Sequence, residues 1–303
     1  MKNLIKKAFT LIELLVVIAI IGILSGLIVV SMGGMTQKAT IAKAQVFSNS
    51  FKNSLINDII AEWRFDEGAV NSVLSLGNII DSWADNDAVT IVGSPILREG
   101  DCVFNKCVEF NGTDASVLFG NKTAFSMGTK DYAISLWVKF NNAVASHDET
   151  MVTTGAGGGG EGYWLARVNG TSRINLGFND GAGEIAGALS PSGSLVANSW
   201  YNVVVIFDRD GAAQAYINGA KQSEALNIST RATTVSNARA LEIGAYGSGN
   251  RLVGRMDEVR LFSSIPSVSQ VKGQYYMGLN NLLKNGGISK EEYLSRVNEL
   301  ATK

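Results

Sequence analysis

The feature that most constrains this chain is an apolar run near its N-terminus. From Phe9 to about Met35 nearly every residue is apolar (FTLIELLVVIAIIGILSGLIVVSMGGM). The preceding MKNLIKKA carries Lys2, Lys6 and Lys7 and no acid. At 1.5 Å per residue the run makes roughly 40 Å of helix, enough to cross a bilayer. The leading lysines place the N-terminus on the cytoplasmic side. One residue breaks the run: Glu13. A carboxylate in a membrane helix costs roughly 2.5–3.5 kcal/mol, so it calls for a partner or a purpose. An ordinary secretory signal has a shorter apolar run and ends in a small-x-small cleavage site.

The segment KKAFTLIELLVVIAIIGIL resembles the class III signal of type IV prepilins and pseudopilins. The resemblance implies a cut between Ala8 and Phe9 by prepilin peptidase and N-methylation of the new N-terminal Phe9. It also implies that Glu13 pairs with the terminal amine of a neighbouring subunit and sets axial register. Two opposite charges in a low-dielectric filament core attract strongly, but only when paired. Ala8 departs from the family, which usually has Gly there. The partners implied are prepilin peptidase, other pilin subunits and an inner-membrane assembly platform. The protein would be a single-pass membrane protein before assembly and part of a surface filament afterwards. Residues Thr36 to about Ile60 continue as an amphipathic helix, with Ile41, Ala44, Phe47, Phe51 and Leu55 at helical spacing.

Beyond Ala61 the texture changes. Short apolar runs alternate with polar residues and end at Gly, Asn or Asp, as in YAISLWVKF (Tyr132–Phe140), WYNVVVIFD (Trp200–Asp208), AQAYINGA (Ala213–Ala220) and RMDEVRLF (Arg255–Phe262). With 33 Gly and only 3 Pro, the chain suits tight turns between strands. The pattern predicts an antiparallel β-sandwich of about 200 residues. A net charge of −1 leaves no basic field, so no nucleic-acid partner is expected. The ordered set EWRFDEG, CVEFNGTDASV, YAISLWVKF, WYNVVV with AYINGA, and GRMDEVRLF resembles a laminin G-like, concanavalin A-like jelly roll. That resemblance implies two sheets of roughly six or seven strands each, with the first and last strands adjacent.

The expected organisation is therefore mainly β with α: a leader at 1–8, a transmembrane and pilin-stem helix at 9–60, the sandwich at 61–262 and a C-terminal helical hairpin at 263–303. In the last part Ser267 opens a helix that stops at Gly286-Gly287, and Ser289 with Glu292 forms a capping box for a second.

Candidate chemistry is sparse. Cys102 and Cys107 read as a disulfide in an exported protein and as two thiols in a reducing cytosol. The single histidine, His147, argues against a histidine-based metal or nucleophile site. No strand presents acids at alternate positions, and Asp66-Glu67 and Asp257-Glu258 are adjacent pairs expected to face opposite ways. No enzyme is expected. The jelly-roll resemblance suggests a structural Ca2+ held by Asp66, Asn111, Asp114 and Asp257, although Asn-Gly-Thr-Asp is equally a good turn without metal. Trp83, Tyr163, Trp164 and Tyr246 lie near Gly-rich loops and are candidates for stacking on a sugar, whereas Trp63, Trp137 and Trp200 lie within strands and read as packing. The function expected is a pilin-like subunit displaying the sandwich for adhesion to a surface glycan or protein. The alternatives are a minor pseudopilin of a type II secretion or DNA-uptake system, and a surface-displayed polysaccharide hydrolase.

Overall fold

The computed structural model describes residues 11–52, 58–142, 147–155, 160–235, 239–247 and 249–302, without side chains for 26–34, 36 and 48–52. The expected leader, with the cut at Ala8 and Phe9, lies outside the described residues. Two compact units divide the chain, Met1–Ala44 and Gln45–Lys303.

The first unit holds most of α1 (Leu11–Lys52), an uninterrupted helix with Glu13 in its first turn. Leu11 to Leu24 are exposed around the whole circumference. Such a helix has no single face to bury against a protein core. Among the described residues no helix is long and apolar enough to cross a membrane. The apolar run read from the sequence continues through positions whose side chains are not described. Ile59 and Ile60, expected at the end of the stem, instead open the first strand.

In the second unit the described strands are β1 (Ile59–Trp63), β2 (Thr90–Val92), β3 (Ile96–Glu99), β4 (Lys106–Asn111), β5 (Ser116–Leu118), β6 (Tyr132–Phe140), β7 (Glu149–Thr153), β8 (Gly162–Arg167) and β9 (Ile174–Asn179). They continue as β10 (Glu184–Ala188), β11 (Trp200–Phe207), β12 (Ala212–Ile217), β13 (Ala220–Asn227), β14 (Glu242–Ile243), β15 (Ala245–Tyr246), β16 (Asn250–Arg251) and β17 (Val253–Phe262). An 8-stranded sheet runs β13-β12-β11-β6-β17-β4-β3, with β1 also paired to β17. A 7-stranded sheet runs β10-β9-β8-β7-β14-β5-β2. All their pairings are antiparallel. The first and last strands are neighbours. This is the antiparallel jelly-roll sandwich.

Alternation along the strands explains the core. Tyr132, Ile134, Leu136, Val138 and Phe140 of β6 face inward, as do Tyr163 and Leu165 of β8 and Leu176 and Phe178 of β9. The turn Asp208–Gly211 joins β11 to β12 through Gly211 N–H donating to Asp208 O at 3.1 Å. The Cys102–Cys107 pair forms a disulfide, and both residues are buried.

Two helices follow the sandwich, α2 (Val268–Lys284) and α3 (Lys290–Ala301). Ser267 and Gln270 form a reciprocal capping box on α2, and Ser289 Oγ accepts the Glu292 N–H on α3. α2 covers the outer face of the 8-stranded sheet. Trp137 stacks on Tyr275 with ring centroids 5.8 Å apart. A Cβ on Gly278 would lie 2.2 Å from the Trp137 indole, so only glycine lets the helix come this close. Beside Tyr275 on α2, Tyr276 meets Phe47 edge-on at 5.7 Å.

The acidic pair Asp257-Glu258 does not alternate as expected. Asp257 pairs with Trp137 and Arg260 with Ser135, so three steps on β17 oppose two on β6. The extra residue is a β-bulge with Glu258 at φ +53°. Met256 and Val259 remain in the core, while both intervening carboxyls are buried on the outer side. There Glu258 pairs with Arg260, and Arg260 Nε donates to Glu62 at 2.6 Å. Burial, and then the adjacent Glu258 carboxylate, push Asp257 well above the usual carboxylate range.

Candidate ligand-binding site

The outer face of the 7-stranded sheet has a different floor. Asn175, Gly177 and Asn179 of β9 point away from the core, as do Glu184, Ala186 and Ala188 of β10 and Trp164 and Ala166 of β8. Trp164 is registered opposite Gly177, which is opposite Ala186. A Cβ on Gly177 would come within 2.0 Å of Trp164 Nε1. The indole therefore lies across the glycine, held by its N–H donating to Glu184 Oε1 at 2.5 Å. Tyr246 and Asn250 face one another across the small β15–β16 hairpin. Between this hairpin and Trp164 is a cleft of about 220 Å³. Asp148, Thr150 and Ala166 complete its lining, with Glu184 at the Trp164 end.

The cleft is held from behind. Asp148 and Thr150 line it, whereas Glu149 between them is fully buried and forms an ion pair with the equally buried Arg167. Arg167 Nη1 also donates to Asn142 O at 2.9 Å, and its guanidinium lies 4.2 Å over the Phe140 ring. Glu149 Oε1 accepts the Val253 N–H at 3.2 Å. Burial pushes the Glu149 carboxyl up, against the pull of Arg167. His147 Nε2 lies 2.9 Å from Arg251 O, which ties the start of β7 to the β15–β16 hairpin. The arrangement offers two half-buried aromatic rings over a floor of small residues, rimmed by carboxylate and amide groups. Nothing in it pairs a nucleophile with a base.

Of the four aromatic candidates, the structure brings Trp164 and Tyr246 together. Tyr163 is a correction: it is 1% exposed and packs in the core against Phe207 at 5.4 Å and Tyr132 at 5.9 Å. Burial pushes its phenol up. Adjacent strand residues face opposite ways, so Tyr163 and Trp164 cannot both be outside. Trp83 is exposed in another loop and does not line the cleft; its backbone N–H donates to Asp81 Oδ1 at 2.9 Å. Asp148, Glu184, Asn250 and the floor glycine Gly177 were not singled out from the sequence. The available signal was alternation in GYWLAR and INLGFN, which sets Trp164 and Gly177 on the outward side.

The four proposed calcium ligands are a second correction, because they fall in two places. Asn111 Oδ1 accepts the N–H groups of Thr113, Asp114 and Ala115, and Asn111 Nδ2 donates to Asp114 Oδ1 at 2.6 Å. That is the turn chemistry that competed with metal. Asp257 follows Met256, which pairs with Val108 three residues along β4 from Asn111, or about 10 Å at strand rise. Its Oδ2 accepts Val103 N–H at 3.0 Å and Phe104 N–H at 2.9 Å. Asp66 accepts Lys106 N–H at 3.1 Å and Asn105 Nδ2 at 3.2 Å. The Lys106 ammonium takes the carbonyls of Asp66 and Gly68 at 2.9 and 2.8 Å, where a hard cation would look for oxygen. Among the described residues no cluster of three or more His, Cys, Asp or Glu is arranged to hold a metal ion. The nominated set does not fit calcium.

Comparison with known proteins agrees with this architecture. Residues 5–29 match the prokaryotic N-terminal methylation motif. The chain is similar in fold to the binding domain of botulinum neurotoxin serotype G, at 16% identity and TM-score 0.56, covering 73% of this chain and 51% of that one. It is similarly related to the binding domain of Paraclostridial Mosquitocidal Protein 1, at 14% identity and TM-score 0.57, covering 73% and 52%. A third is the botulinum neurotoxin serotype D ligand binding domain in complex with N-acetylneuraminic acid, at 15% identity and TM-score 0.54, covering 74% and 52%. The chain thus spans about half the length of these solved structures, and the likeness is one of fold. No curated protein matches it. Residues 111–272 match Laminin_G_3, and with that match covering more than half of its length the chain belongs to the concanavalin A-like lectin/glucanases superfamily.

Proposed function

We propose that this protein is an exported pilin-like subunit whose sandwich binds carbohydrate in the Trp164–Tyr246 cleft. The observation that carries the binding half is the pairing of two half-buried aromatic rings over a small-residue floor with Asp148, Glu184 and Asn250 at the rim. A sugar ring has an apolar face that stacks on such rings and hydroxyls that meet such a rim. The methylation motif carries the export half and implies processing by prepilin peptidase. In this reading the cut falls between Ala8 and Phe9, Phe9 is methylated, and Glu13 pairs with the new amine of a neighbour. The helix anchors the subunit in the membrane until the assembly platform extracts it. The sandwich then stands on the outer surface as an adhesive or recognition module without turnover of its own.

The bulk of the second unit against the single helix of the first favours a low-abundance or tip position, as in a minor pseudopilin. Subunit counting in purified filaments separates that from a major pilin.

Two experiments test the proposal. Intact mass of protein from cells with and without prepilin peptidase should show loss of Met1–Ala8 and one added methyl. An uncut chain in peptidase-positive cells would refute the pilin half. A glycan array probed with the full chain should give signals that Trp164→Ala weakens about tenfold or more. Signals unchanged by Trp164→Ala would remove the cleft from the proposal, and release of reducing ends from any bound glycan would restore the hydrolase.

A further inference from the structure

A larger cavity lies away from the aromatic cleft and shares no residue with it. It measures about 370 Å³ and sits where α2 and α3 meet the β11–β13 side of the other sheet. Its strand wall lies inside the stretch that matches the superfamily, whereas α3, which closes its other side, lies beyond that stretch. Its walls are built and held. Arg296 Nη1 donates to Trp200 O at 3.0 Å, which pins α3 to β11. Gly219, at φ +77°, sits beneath Leu300, and a Cβ there would come 2.9 Å from Leu300 Cδ2. The helices therefore press directly on the β12–β13 turn at Gly219, where a side chain would meet Leu300.

The lining selects a ligand class. Ile217, Ala220 and Leu300 are buried and give an apolar floor, with Tyr201 and Tyr275 beside them. Asn218 spends its Oδ1 on the Asn202 N–H at 3.0 Å, which leaves its amide N–H groups as donors. Gln222 spends its Nε2 on Ala220 O at 2.9 Å, which leaves its Oε1 as an acceptor. Tyr201 accepts the Val196 N–H at 2.9 Å and keeps its own O–H to donate. Charge is balanced against an anion. Arg296 is already paired with Glu292 at 2.7 Å, and Glu299 also lines the cavity. A small anion would meet the Glu299 carboxylate and a guanidinium already engaged by Glu292. A ligand that alternates hydroxyl donors and acceptors around an apolar face meets all of these groups.

We propose that this cavity is a second ligand site, specific for a neutral saccharide of one or two rings. It stands independently of the aromatic cleft. With binding at both, one subunit would hold two glycan segments from different faces, and linked sites of this kind raise avidity without new contacts.

The test uses the full chain in a zwitterionic detergent that carries no sugar. Maltose, glucuronate and glucosamine are the probes, read by saturation-transfer NMR and calorimetry. Two variants address the cavity: Gln222→Leu, which removes the free acceptor, and Ser199→Trp, which plugs the rim. Trp164→Ala silences the other site. Maltose should bind to Trp164→Ala protein. Gln222→Leu in that background should weaken it about tenfold, one lost hydrogen bond in a desolvated site. Ser199→Trp should abolish it with melting temperature unchanged. Glucuronate and glucosamine should bind less well than maltose. Maltose binding that disappears with Trp164→Ala alone, or that survives Ser199→Trp in that background, overturns the proposal. So does a preference for either charged sugar, or no binding of maltose to Trp164→Ala protein. Each of these outcomes leaves the reading of the aromatic cleft to its own test.

Discussion

The two outer faces of the sandwich put the same kind of residue to different uses. On the 8-stranded sheet Trp137 is buried beneath α2, stacked on Tyr275 and fitted against Gly278. On the 7-stranded sheet Trp164 lies across Gly177 and stays half exposed beside Tyr246. In each case a glycine makes room for an indole. The difference is what lies above. A helix converts one tryptophan into packing, and a short hairpin leaves the other in an open cleft. Aromatic content therefore does not mark a site; an aromatic whose second face has no protein partner does.

The largest effect expected from this contrast is on stability. Trp137→Ala should destabilise the protein by about 3–5 kcal/mol, because it empties a fully packed position. Trp164→Ala should cost about 1 kcal/mol or less and instead weaken glycan binding about tenfold or more. Thermal melts and glycan titrations of the two variants check both halves. Equal destabilisation would erase the distinction between the faces.

Next comes the disulfide. Its loop presents the N–H groups of Val103 and Phe104 to Asp257 on the covered face. Replacing Cys102 and Cys107 with serine should lower stability by about 2 kcal/mol, as expected for closing a short loop. Glycan binding on the other sheet should be unchanged, and denaturant melts beside titrations of the same sample would tell.

Gly177→Ala sharpens the open face. The new methyl would overlap the Trp164 ring, so the indole must lift from the sheet. A loss of about 1 kcal/mol in stability is expected, with a shift in Trp164 fluorescence and weaker binding. Normal binding with a displaced indole would mean that the flat ring is not what the ligand needs.

The smallest effect is in acid. Burial pushes the Glu62 carboxyl up, but the Arg260 and Arg64 guanidiniums outweigh it and hold the group below its usual value of 4.5. A carboxyl lowered in the folded state stabilises above its unfolded pKa, and that stabilisation is lost as pH falls through the folded value. The melting-temperature difference between the natural protein and Glu62→Gln should therefore be largest above pH ~5 and shrink on acidification. A difference that grows in acid would reverse the assignment.

Much of the fold was legible in local pattern. Alternation located β6, β11, β12 and β17, and Ser267 and Ser289 located the starts of α2 and α3. The site was legible only in part. Trp164 and Tyr246 were nominated, but beside Tyr163 and Trp83; alternation separates Trp164 from Tyr163, and nothing local separates it from Trp83 or brings Tyr246 beside it. The acids at Asp257 and Glu258 were misread because a bulge has no signature in a run as regular as RMDEVRLF. The calcium set failed because β4 separates two turns that look adjacent in a list of residues.

By itself the sequence determined what depends on neighbours along the chain: an apolar N-terminal run with one acid, a methylation motif, strand alternation, helix caps and turns. Those follow from backbone sterics and from periods of two or 3.6 residues, which short windows contain. Tertiary structure decided which tryptophan a helix covers, and that Tyr246 comes to stand beside Trp164. These are outcomes of pairing and layer packing between segments tens of residues apart. A side chain's partners across such distances are fixed by the burial of the whole core, and no local window records them.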